Sequence, residues 1–190
     1  MKFNYKLSAL SVALALACLG AKAQADIVVL RQHNFIQAVG GAPQSDSSDS
    51  LTSWNGSVSS SNTQGSYKYH ATASLSSTIA ANSVTLLSST YASLTLPPDV
   101  PPSRPATATA TTQLQFTVSA TRTYQLVVAP KGDGFEPPAI QLLRDGVVVL
   151  SGPFSGAFLF EAGHTYEFDG SAPVQSWGGG YRSGYKFSMR

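Results

Sequence analysis

Three histidines and a few acids are the residues of this chain that could do chemistry. The histidines are His33, His70 and His164, and no two of them stand in a metal-ligand spacing. Periodicity puts His70 on the polar face of a strand, and His164 follows a turn. Surface hydrogen bonding is the role expected of each. Glu161, Glu167 and Asp169 lie close together in sequence, so a carboxylate pair of the glycosidase kind is one use for them. Spacing alone does not place them opposite each other. Asp133 and Glu136 have oxygens that suit calcium, but a calcium loop needs more donors, and Lys131-Gly-Asp-Gly134 reads as a turn. Gly152-Pro-Phe-Ser-Gly156 lacks the Gly-x-Ser-x-Gly order of a nucleophile elbow. Asn55-Gly-Ser57 matches a glycosylation sequon and reads as an Asn-Gly turn. No catalytic residue, metal ligand or cofactor site is assigned. Trp54, Trp177 and Tyr181 are the candidate ligand-stacking rings, with Tyr185 beside them.

The elements that must position these residues are strands. From Ala106 to Val118, Ala106, Ala108, Ala110, Leu114, Phe116 and Val118 alternate with Thr and Gln. Period two marks a strand with one buried and one wet face. Tyr67 to Leu75, Val84 to Leu96, Thr123 to Val128 and Gly156 to Phe160 read as further strands. Thr123 to Val128 is expected to pair with the Ala106 strand. Ile27 to Leu30 opens the fold, and Phe35 to Val39 reads as a short strand or a helix. Asp145-Gly146 sits between two apolar runs and predicts a two-residue hairpin. That turn sets Leu143 against Val148 and Leu142 against Val149. Tyr185, Phe187 and Met189 alternate to the end of the chain and predict a buried closing strand. Residues 44–66 are rich in Ser, Asn and Gly and read as a mobile loop. Residues 97–105 carry five prolines and read as a connector. The fold class expected is all-β: an antiparallel β-sandwich or jelly roll.

Met1 to Ala25 reads as a signal peptide. Lys2 and Lys6 precede the apolar run Leu7 to Leu19, and Ala21-Lys-Ala23 and Ala23-Gln-Ala25 offer small residues for cleavage. Cleavage is expected after Ala25. Lipidation at Cys18 is the alternative, but Ala15 stands where a leucine is expected. The segment holds Lys2, Lys6, Lys22 and the chain's one cysteine. The remaining 26–190 stretch then has 9 basic against 10 acidic residues, a net charge of −1. Near neutrality argues against a nucleic-acid partner. Without Cys18 no disulfide forms, and one domain of this length builds a core without one. No membrane span is expected in 26–190.

The order of Phe116-Thr-Val118, Tyr124-Gln-Leu126, Ile140-Gln-Leu142 with Asp145-Gly146, Phe158-Leu-Phe160, Ala162-Gly163-x-x-Tyr166-x-Phe168 and Tyr185-x-Phe187 resembles the secreted β-sandwich proteins associated with PEP-CTERM sorting. It is more loosely similar to bacterial pre-peptidase C-terminal domains. The chain lacks the Pro-Glu-Pro tail, so sorting and anchoring do not carry over. The resemblance implies an exported protein and transfers no catalytic residue. The function expected is a non-catalytic binding or structural protein, secreted or periplasmic. The alternative is a carbohydrate-binding module or glycan-active enzyme whose partner is a polysaccharide or cell-surface component. An exposed aromatic row on one sheet face favours the alternative, and rings buried in the core favour the first reading.

Overall fold

A computed structural model describes residues 26–97, 102–133 and 137–190. Met1 to Ala25 and Glu136 lie outside the described residues, as does most of the proline-rich connector's first half. The strands are β1 (Ile27–Val39), β2 (Gln44–Ser48), β3 (Trp54–Gln64), β4 (Tyr67–Ala80), β5 (Ser83–Thr95), β6 (Ala106–Val118), β7 (Arg122–Gly132), β8 (Ala139–Arg144), β9 (Val147–Ser151), β10 (Phe154–Phe160), β11 (Tyr166–Ser176) and β12 (Gly179–Met189). They form two six-stranded sheets, ordered β2-β1-β6-β11-β8-β9 and β10-β7-β12-β5-β4-β3. Every pairing is antiparallel, and the sheets stack as a β-sandwich. The two halves of the chain interleave: β1 pairs with β6, and β5 pairs with β12.

Alternation along β6 buries Ala106, Ala108, Ala110, Leu114, Phe116 and Val118, as expected, and Thr112 with them. The interior has two apolar regions. One is aromatic, with Phe116, Phe160, Tyr166, Phe168 and Phe187 in it. The Phe168 and Phe187 rings are 4.2 Å apart, joining the two sheets. The other is built of small side chains, with Ala38, Ala106, Ala108 and Ala110 on the first sheet and Ala71, Ala73 and Ala92 on the second. Small residues let the two backbones approach there, so little apolar volume fills the gap.

That thin end explains one correction. Residues 44–66, expected as a mobile loop, form β2 and all of β3. Serine suffices where the space to fill is small, and β2 and β3 are edge strands that bury one side at most. Asn55 and Gly56 consequently lie inside β3 and make no turn. Residues 35–39 are also no separate element, because β1 runs unbroken to Val39.

A second correction concerns β7. It does not pair with β6; it lies between β10 and β12 in the opposite sheet. The link between β6 and β7 lacks the Asn-Gly or Asp-Gly pair of a tight hairpin, so it arches across the sandwich instead. Phe116 of β6 and Tyr124 of β7 then both pack on Phe160, at 5.7 and 5.6 Å.

The Asp145-Gly146 hairpin forms, with φ of 51° and 79° at the two residues. Leu143 faces Val148 as expected, but a register shift sets Leu142 against Leu150 rather than Val149. Tyr185, Phe187 and Met189 are fully buried in β12, which is paired on both sides. Among the described residues no helix is long and apolar enough to cross a membrane.

Candidate functional site

The outer face of the first sheet is where Glu167, Asp169 and His33 converge. A β-bulge in β1 between Val29 and Arg31 sets this up. Strict alternation from Ile27 and Val29 would turn Arg31 and His33 into the interior. The extra residue, Leu30, reverses the phase. Gln32, Asn34, Ile36 and Ala38 then point inward, and Arg31 and His33 face out.

Register across the sheet puts His33 beside Gln113, Gln113 beside Asp169, and Asp169 beside Gln141. Four hydrogen-bonding side chains thus cross four strands, over roughly 14 Å at the usual strand spacing. Arg31, Gln115 and Glu167 form the next row, and Phe35, Thr111 and Ser171 the row on the other side. A groove of about 510 Å³ runs here, lined by His33, Thr111, Gln113, Gln141, Asp169 and Ser171 among others.

His33 Nδ1 lies 2.6 Å from Asp49 Oδ1. That contact orients the ring and leaves its other nitrogen for a ligand. Asp169 Oδ1 is buried and has no hydrogen-bond donor of its own. Burial pushes the Glu167 carboxyl above its ordinary range, and the Asp169 carboxylate beside it adds to the shift; Arg31 opposes it.

The structure thus brings Glu167 and Asp169 together but leaves Glu161 elsewhere. Glu161 is ion-paired with Arg144 at the end of β10. Carboxyls that flank a glycosidic bond stand about 5–5.5 Å or 6.5–9.5 Å apart, with the sugar or its water between them. Glu167 and Asp169 instead lie two residues apart on one face of one strand.

The stacking candidates do not gather. Trp54 is half-buried on the alanine-rich region, and a Cβ at Gly56 would sit 2.3 Å from its ring. Tyr181 is half-buried against the same region, and Tyr185 is fully buried. Trp177 is 52 % exposed, at the β11–β12 turn. Among the described residues no aromatic row lies on either face. His70 stands on the outer face of the second sheet, 6.0 Å from Tyr91, and His164 pairs with Asp145 at 2.5 Å. Among the described residues no three metal-ligand groups cluster.

Sequence reasoning missed Gln113, Gln141 and the half-buried, outward Phe35. Gln113 was readable as an outward residue of its strand, but its neighbours depend on strand order. No family model, no curated protein and no solved structure matches this chain.

Proposed function

We propose that this is an exported, non-catalytic binding protein that takes a hydroxyl-rich ligand of the saccharide class on the outer face of its first sheet. Export rests on the residues of Met1 to Ala25 and on the resemblance to secreted sandwich proteins. The observation that carries the binding reading is the row His33, Gln113, Asp169 and Gln141 across four adjacent strands. Amide, imidazole and carboxylate groups offer donors and acceptors in alternation, which is what a ring of hydroxyls requires. Strands hold these groups more rigidly than loops do. Phe35 adds an apolar plane two residues from His33.

A glycan-binding screen on the purified protein tests this. Binding to a neutral glycan that is lost on Gln113→Ala and Asp169→Asn supports it, with melting temperatures unchanged. Binding that ignores both substitutions removes the groove from the reading. Release of reducing ends from the bound glycan, abolished by Glu167→Gln, would show catalysis instead.

A further inference from the structure

The second sheet carries a cavity of different charge on its own outer face. It measures about 390 Å³ and is lined by Ser74, Ser76, Leu87, Ser89, Lys131 and Arg182, with Ser183 and Gly184 among its other walls. Between the Ser183–Thr90 and Lys186–Leu87 pairs, β12 and β5 are not in regular ladder contact. The Tyr185 amide there donates to the Ser88 hydroxyl at 2.9 Å. Gly184 has no side chain to fill the opening, and a Cβ would meet the Ser88 carbonyl oxygen at 2.5 Å.

Three cations surround this glycine. Arg182 and Lys186 are two residues to either side of it on β12, on the same face. Lys131 is its direct cross-strand partner on β7. The Arg182 guanidinium rests over the Tyr91 ring at 5.7 Å, which fixes its direction. None of the three cations takes part in an ion pair among the described residues. Asp133 is close by and accepts from the Arg182 amide at 2.7 Å. It offsets one charge of three. Ser183, between Arg182 and Gly184, turns inward with Tyr181 and Tyr185, so the cavity's hydroxyls are those of Ser74, Ser76 and Ser89.

We infer that this cavity is a binding site for an acidic saccharide: the cations take a carboxylate or sulfate, and the serine hydroxyls take the ring hydroxyls. Leu87, 41 % exposed, supplies an apolar wall for the ring's carbon face. The site is independent of the groove on the first sheet, whose acids would repel such a ligand.

Calorimetric titration of the purified protein at low ionic strength tests the inference, with galacturonate, galactose 6-sulfate, galactose and inorganic sulfate as probes. One or both acidic sugars bind saturably, and the better of the two tells carboxylate from sulfate. Galactose does not displace them. Arg182→Gln and Lys131→Gln each weaken binding about tenfold, as loss of a charged hydrogen-bond partner does. Ser89→Tyr, at an exposed position, blocks the cavity without touching a charge. Lys68→Gln, at an exposed position on the same sheet, leaves binding unchanged. The inference fails if neither acidic sugar binds, if inorganic sulfate binds as tightly as either, or if Arg182→Gln and Ser89→Tyr melt normally and bind like the parent.

Discussion

The Thr112 hydroxyl donates to Asn34 Oδ1 at 3.0 Å, from β6 to β1, inside the sandwich. The two residues are direct register partners and both point inward. Nearby, Gln32 donates to Ser77 of the opposite sheet at 2.8 Å. A polar layer therefore separates the aromatic region from the alanine-rich one. Its bonds are few, and Asn34 Nδ2 and Gln32 Oε1 have no partner.

Thr112→Val should cost about 1–3 kcal/mol, because it leaves a second polar atom of Asn34 unpaired in the interior. The double change Asn34→Val with Thr112→Val should recover much of that loss. Denaturant unfolding of the three variants checks it. A double mutant that loses the sum of both single losses would show the pair to be uncoupled.

Tyr185 predicts alkaline sensitivity. Its ring lies on Gly170, where a Cβ would be 2.6 Å from it. Burial pushes its phenol well above the ordinary value of 10.0. Below pH ~10 the group is neutral in both states and contributes no slope. Above it the unfolded chain releases the proton and the folded one holds it, so stability falls as pH rises. Tyr185→Phe should flatten that fall, and should be neutral or stabilising near pH 7, since the hydroxyl has no partner. Melting curves on either side of pH 10 measure both effects.

Gly146→Val should weaken the β8–β9 hairpin. Space is not the difficulty, because nothing lies within 4 Å of a Cβ there. The φ of 79° is, since a β-branched residue reaches it only with strain of about 1–3 kcal/mol. Gly146→Asn, which tolerates this region, should cost much less. Equal melting temperatures for the valine and asparagine variants would contradict the argument.

Phe187→Ala and Lys186→Ala should separate stability from binding on one strand. Phe187 is fully buried against Phe168, and its truncation should cost about 3–5 kcal/mol. Lys186→Ala should leave the melt nearly unchanged while weakening acidic-sugar binding. Melting and titration of the two variants together distinguish core from surface.

If the proposed export holds, N-terminal sequencing of the mature protein should read Asp26 or Gln24, without lipid. A modified Cys18 at the start would replace that processing with lipoprotein maturation.

The alternation of β6, the Asp145-Gly146 turn and the buried side of β12 were all legible in the sequence by itself. Each depends on neighbouring residues, through the two-residue period of a strand or the positive φ of a turn. Strand order is not local. Whether β7 pairs with β6 or arches to the other sheet depends on where Phe116 and Tyr124 find a common partner, Phe160. The Leu30 bulge is likewise invisible in a pattern that alternates on both sides of it, yet it decides that His33 faces the groove. The row His33, Gln113, Asp169 and Gln141 draws on four strands far apart in the chain, and only the stacked sheets bring them side by side. The strands of the 44–66 stretch followed the same rule: serine-rich edges are tolerated because alanines across the interior leave little space to fill.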